Sequence, residues 1–337
     1  MHPSTSSLRR RAAACLLVAA GALGPLGPAA AQAPSAAQPA WPTRFVRVLI
    51  GYAPGSSTDV VGRLVAGKLS ELWKQPVVVE NRGGAAGNIA ADAAAKAAPD
   101  GHTLLIAQNG LAISVAANPR LPFDGQKDLV PVAALAATSH LLIVNPASPA
   151  RSVGELVALA KAQPGRLSFG SSGVGNSDHL AGEMFKVMAG IDAVHIPYRG
   201  GSLAAADLMG GQIDFYFSGM PVGLPQARSG KARALAVTGR QRFAPLPEVP
   251  TMAESGLPDY EVTMWQGVFA PAGTPPAIVA RIADDVARVL ATPEMRERMD
   301  TAGSQILSLG PDRFGEYYRS EIAKWGRVVR AAQVRLD

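Results

Sequence analysis

Apolar positions along this chain recur with two alternating periods. Short β-branched runs at residues 45–50, 77–79, 103–107 and 141–144 read as buried strands. After the first run, Val61, Leu64, Val65, Leu69 and Leu72 recur at helical spacing, and the alanine-rich stretch 88–98 supplies the next helix. Such alternation predicts an α/β fold with a mostly parallel sheet flanked by helices.

A second series begins at Ser152 and Glu155, whose spacing is that of a capping box. It continues through a strand at 166–170, a helix at 178–189 and a strand at 193–196, with further units near Leu203, Ile213 and Ala234. Residues 262–270 form a long β-rich run followed by Pro271, Pro275 and Pro276. Two or three helices then close the chain with no strong strand between them. A return of the 262–270 run to the first series divides the chain into a discontinuous lobe one (44–143 plus 263–337) and a lobe two (144–262). Two strands then join the lobes near residues 143 and 262, a geometry suited to hinge closure.

The N-terminus carries a different signal. Arg9, Arg10 and Arg11 precede an uncharged apolar run that ends in small residues, which marks 1–31 as a signal peptide with Gln32 as the new N-terminus. The run is broken by Gly24, Pro25 and Pro28 and falls short of the roughly 20 apolar residues of a spanning helix, so no stable membrane insertion is expected. The three arginines leave the general and twin-arginine export routes both open. Residues 32–43, rich in Ala, Pro and Gln, read as a flexible leader.

Cys15, the single cysteine, sits inside the apolar run, so the exported chain has none and must rely on core packing in an oxidising compartment. The formal charge of +6 falls to +3 once three of the 32 basic residues leave against 26 acids. The remaining charges are scattered singly or in mixed pairs, which argues against nucleic acid as a partner.

Candidate chemistry lies in two strand-to-helix turns. The first, Tyr52-Ala53-Pro54-Gly55-Ser56-Ser57-Thr58-Asp59, is built of small and hydroxyl residues before an amphipathic helix. The second, Ser171-Ser172-Gly173-Val174-Gly175-Asn176-Ser177, precedes a helix at Asp178. Free amides at a helix N-terminus, with the helix dipole and nearby hydroxyls, suit a carboxylate or another anion. Either turn alone reads first as an ordinary capped helix start, and the presence of two such turns weakens that reading. Asn109 and Tyr198 fall at or just beyond strand ends, where open α/β sheets bind ligands.

These turns, with Glu80-Asn81-Arg82-Gly83-Gly84-Ala85-Ala86-Gly87-Asn88, Pro99-Asp100-Gly101-His102-Thr103-Leu104, Pro197-Tyr198-Arg199-Gly200-Gly201, Gly210-Gly211-Gln212-Ile213-Asp214, Leu246-Pro247-Glu248-Val249-Pro250-Thr251 and Ala270-Pro271-Ala272-Gly273-Thr274-Pro275, resemble the tripartite tricarboxylate transporter receptors, the Bug family. The resemblance runs in order over nearly the whole exported chain. It implies a periplasmic two-lobe (Venus flytrap) binding protein whose facing turns grip a ligand carboxylate through backbone amides, hydroxyls and waters. It also implies membrane permease subunits as partners, with no cofactor, no metal and no catalytic residue.

Carried onto this chain, the resemblance names Tyr52, Gly55, Ser56, Ser57, Thr58 and Asp59 in the first turn. In the second it names Ser171, Ser172, Gly173 and Asn176. The chain departs from the family at Ser56, where a second glycine is usual, and at Gly83-Gly84-Ala85-Ala86, where a proline and more glycine are usual.

Enzymatic readings gain little. Around Ser172 the hydrolase elbow Gly-x-Ser-x-Gly fails at Val174. His179 and Glu183 share a helix face but lack a third metal ligand nearby, and His179 reads instead as a helix-terminal imidazole bonded to backbone. Tyr317, Tyr318 and Trp325 read as packing inward. A receptor that presents its closed form to a sensor kinase stands as the alternative to a transport receptor, and the carboxylate's identity is open.

Overall fold

The first strand already shows why the sequence folds as it does. In this computed structural model, which describes residues 41–333, β1 (Val46–Ile50) is apolar and buried at every position but Arg47 and lies between parallel neighbours. The expected signal peptide and most of the expected leader lie outside the described residues. The leader's last residues are structured: the Trp41 ring meets Trp73 edge-on at 4.9 Å, and the Thr43 amide donates to His102 Nε2 at 3.3 Å.

Helix α1 (Ser57–Trp73) starts where Ser56 Oγ accepts the Asp59 amide, and it buries Val61, Val65, Leu69 and Trp73. Next come β2 (Val77–Asn81), a 3-10 turn (Ala85–Gly87), α2 (Asn88–Ala95), β3 (Thr103–Gln108) and α3 (Asn109–Ala117). The parallel pairs anticipated from the βα alternation, β1 with β2 and β1 with β3, form one flank of the sheet.

β4 (Leu129–Val144) spans sixteen residues and organises the rest. Its partners change along its length. Leu129 to Ser139 pair antiparallel with β9 (Thr263–Pro271), whereas His140 to Val144 pair antiparallel with β7 (Phe215–Gly219) and β8 (Arg233–Val237). Between β4 and β9 the chain lays down α4 (Val153–Ala162), β5 (Ser168–Ser171), α5 (Ser177–Ala189), β6 (Val194–Pro197), α6 (Gly201–Met209), β7, α7 (Met220–Arg228) and β8. The sheet runs β2-β1-β3-β9-β4-β7-β5-β6. Parallel pairs therefore lie toward its two ends, and antiparallel pairs occupy the middle, where β4 and β9 pass.

At α4 Ser152 Oγ accepts the Glu155 amide at 3.1 Å as a capping box requires, while Glu155 reaches one residue past the cap and accepts the Arg151 amide at 2.6 Å. After β9 come α8 (Pro276–Leu290), α9 (Pro293–Thr301), β10 (Gln305–Leu309) and α10 (Pro311–Ala331). Three helices close the chain, with one weak strand, β10, between the second and third. β10 is a half-exposed edge strand pairing antiparallel with β4 over a register shift, too short and too weakly apolar to stand out in the sequence.

Aromatic packing closes the core. Trp265 on β9 lies among Phe269, Phe314 and Tyr318, with Tyr318 and Trp325 buried as expected. In the other half, Phe169, Phe185, Phe215 and Phe217 pack with Tyr260, whose hydroxyl donates to Ala181 O at 2.7 Å.

Candidate functional site

The turn between β1 and α1 is held from behind by one carboxylate. Asp59 accepts the Gly55 amide at 2.9 Å, Arg63 Nε at 3.0 Å and Asn81 Nδ2 at 2.8 Å. Asn81 Nδ2 also donates to Tyr52 O at 3.0 Å. These bonds, with Arg63 beside it, outweigh burial and hold the Asp59 carboxyl below its usual range. With Asp59 turned inward and the Gly55 amide consumed, two first-turn amides of α1 remain. Those of Ser57 and Thr58 find no acceptor among the described residues.

The turn between β5 and α5 repeats the device. Asp178 accepts the Ser172 amide at 2.6 Å, the His179 amide at 2.9 Å and the Tyr216 hydroxyl at 3.3 Å. Here burial dominates and pushes the carboxyl up to about 6. The Gly173 amide donates to Ser171 Oγ and the Gly175 amide to His179 Nδ1. The amides of Ser177 and Asp178 are left without an acceptor among the described residues. Gly173, at φ +140°, holds a backbone that an L side chain rarely adopts.

Both turns open on one cavity of about 870 Å³. Tyr52, Ser56, Ser57, Thr58, Ser172, Gly173, Asn176 and Tyr198 line it, and so do Gly83 to Asn88, Gln108, His140, Asp178, Arg199 to Leu203 and Met264. Two pairs of unused helix-start amides, one from each half of the sheet, thus flank a single space. Asp178 and the exposed Arg199 are the lining residues that carry formal charge, and Arg199 has no salt bridge among the described residues.

Four anticipated residues do not line the cavity. Gly55 and Asp59 are bonded to each other behind the first turn. Asn109 is fully buried in a knot with Thr263 O, the Trp265 amide and Glu321. Ser171 is fully buried, with Oγ 2.6 Å from His195 Nε2. The His195 and His179 rings stack at 3.9 Å, and burial holds both well below the usual histidine value, at about 4 and about 3.

Ser56, where a glycine was expected, sits at an ordinary φ of −67° and turns its hydroxyl to the Asp59 amide. The loop at 83–88 is a full cavity wall. Ala85 and Ala86 hold positive φ there (48° and 54°), which costs about 1–2 kcal/mol each for an L residue. The Tyr52 hydroxyl donates to Ala86 O at 2.8 Å, and a Cβ on Gly51 would lie 2.4 Å from Gly87 Cα, so the two loops touch backbone to backbone. Gln108, His140, Asp178 and Met264 were missed. For Asp178 the available signal was its place in the first turn of a helix after a Gly/Ser loop, the same place Asp59 holds.

A sheet shared by two halves, with a cavity between two helix starts, defines a two-lobe solute-binding protein. Residues 61–334 match the family described as the tripartite tricarboxylate transporter family receptor (TctC). The chain belongs to that family. It is 36% identical over 298 residues to protein BugT of Bordetella pertussis, covering 88% of this chain and 91% of that one.

Among solved structures, R. palustris Rpa4515 with adipate superposes at a TM-score of 0.84 with 34% identity, over 88% of this chain and 99% of that one. The periplasmic binding protein BugD matches at 0.82 with 30% identity, over 88% and 99%. MatC from Rhodopseudomonas palustris with bound malate matches at 0.80 with 32% identity, over 86% and 100%. No helix among the described residues is long and apolar enough to cross a membrane.

Proposed function

We propose that this protein is an exported periplasmic receptor that captures a small carboxylate between its two lobes and delivers it to the membrane subunits of a tripartite tricarboxylate-type transporter. It acts by capture and release, without turning its ligand over. The observation that carries this reading is the pair of facing helix starts, each leaving two amides without an acceptor toward one cavity. Such N–H groups, with two helix dipoles behind them, favour an anion and require no cation. The adipate in Rpa4515 and the malate in MatC support a carboxylate as that anion.

The lobes in this mechanism are residues 44–139 with 263–337, and 140–262, the first boundary lying where β4 changes partners and not at the expected 143. β4 exchanges β9 for β7 and β8 between Ser139 and His140, and the chain returns at Thr263, so two crossings form the hinge. A ligand bonded to both turns favours the closed arrangement by its differential contacts with the two.

The test is calorimetric titration of protein that has been unfolded and refolded to strip carried-over ligand, against mono-, di- and tricarboxylates. Saturable binding of at least one acid, with a matching rise in melting temperature, is expected. Absence of both across the panel would refute the reading.

A further inference from the structure

Three of the four amides from Ser172 to Gly175 are held by side chains, and two of those bonds lead to histidines. The Gly175 amide donates to His179 Nδ1 at 3.1 Å. The Gly173 amide donates to Ser171 Oγ at 3.2 Å, and that oxygen lies 2.6 Å from His195 Nε2. His195 stands on β6 in register with Phe169 of β5, and its ring stacks on that of His179 at 3.9 Å. Neither ring lines the cavity.

The donors fix where both rings carry their protons. A backbone amide only donates, so His179 Nδ1 is bare and the ring is neutral, with its proton on Nε2 at 3.9 Å from Glu183 Oε1. Ser171 is fully buried, and its hydroxyl has no other acceptor among the described residues, so it donates to a bare His195 Nε2. Protonating either acceptor nitrogen would set one donor against another. The charged groups facing the pair are Glu183 and Lys186 on α5, 3.0 Å apart, and Asp178 at its start, which takes the Tyr216 hydroxyl from β7. Lys186 and burial both oppose a charge on the rings.

The turn needs such support. Gly173 and Gly175 hold φ of +140° and +79°, where glycine has the freedom to move elsewhere. Among the described residues its one internal backbone bond runs from the Asn176 amide to Gly173 O, at 3.3 Å. We propose that His179 and His195 are positioning residues of the anion grip: as a stacked pair of neutral acceptors they hold the Gly173 and Gly175 amides, and so set the direction in which the turn presents the free amides of Ser177 and Asp178. The proposal rests on the carboxylate-receptor reading and adds to it the side chains that shape one half of the grip. A ring unable to accept releases a glycine amide, and the ligand must then reorder the turn as it binds.

Paired substitutions separate the acceptor from the bulk of the ring. His179→Asn sets an amide oxygen near the place of Nδ1 and His195→Gln near that of Nε2, whereas His179→Leu and His195→Leu fill the space without an acceptor. Each purified protein is titrated calorimetrically at pH 7 with acetate, adipate, malate and citrate, beside a melting curve. For whichever acid wild type binds, the leucine variants should bind about tenfold weaker, and the Asn and Gln variants within about threefold of wild type. Nitrogen-15 NMR of the wild-type rings should show a bare Nδ1 in His179 and a bare Nε2 in His195, and it decides alone if a variant does not fold. Leucine variants with wild-type affinity, Asn and Gln variants as weak as the leucine ones, or a proton on either of those two nitrogens would overturn the positioning role and leave the carboxylate receptor standing. Binding of none of the four acids by wild type overturns the carboxylate reading itself.

Discussion

If two unused amides grip the ligand, one of them can be deleted without disturbing the fold. Ser57 is the first residue of α1, where proline fits because the position needs no amide donor within the helix. Three helices of this same chain, α8, α9 and α10, begin on Pro276, Pro293 and Pro311. The residue before a proline must be extended, and Ser56 already is, with ψ at 161°. Ser57→Pro therefore removes an N–H that the folded protein does not use.

A hydrogen bond to a charged partner contributes about 1.5–3 kcal/mol, so carboxylate affinity should fall about ten- to a hundredfold. Stability should change by no more than about 1 kcal/mol. Ser57→Ala, which loses the hydroxyl but keeps the amide, is the control, and calorimetric titration of both gives the amide's share as their ratio. Equal dissociation constants for the two variants, at unchanged melting temperature, would refute the amide grip at α1. Ser177→Pro makes the same cut at α5 less cleanly, since it also removes the hydroxyl 3.0 Å from His140 Nε2.

Asp178 links stability to pH. Its carboxyl is raised from 3.8 to about 6, so the stabilisation it supplies is complete below its unfolded value and is lost as pH climbs through about 6. The window is worth on the order of 3 kcal/mol. Urea unfolding at pH 4 and pH 7 should show wild type gaining more on acidification than Asp178→Asn, and parallel behaviour would contradict the assignment. Glu321→Ala strips the acceptor from Trp265 Nε1, Trp325 Nε1 and Asn109 Nδ2. It should cost about 3 kcal/mol or more in denaturant while leaving ligand affinity unchanged in the folded fraction, because that knot does not line the cavity. Gly182→Ala would set a Cβ 2.1 Å from the Phe169 ring, and should lower stability by about 1–3 kcal/mol in the same assay.

What the sequence made legible, and what it hid, divides along a physical line. The two strand-to-helix turns on the cavity could be read because a strand, a Gly/Ser turn and an amphipathic helix leave helix-start amides free by backbone geometry alone. Local order sufficed. β4 was read only at 141–144, since the alanines from Ala133 to Ala137 carry little strand preference and Pro131 interrupts the run. Its identity as the crossing strand depends on β9, more than a hundred residues later.

The side chains of the site depend still more on distant partners. Asp59 and Asn109 both stand at strand-to-helix junctions, where a polar group can face a ligand or turn inward. Asn81 draws the first inward and Glu321 the second, and neither partner is adjacent in sequence. The same logic runs in reverse for His140. Mid-strand it reads as a partly buried strand residue, yet it is almost wholly buried at the point where β4 changes partners, with Nε2 3.0 Å from Ser177 Oγ, a residue of the other strand-to-helix turn. The backbone turns that flank the cavity are therefore written locally, whereas the side-chain contacts that hold its wall arise only when distant segments of the chain meet.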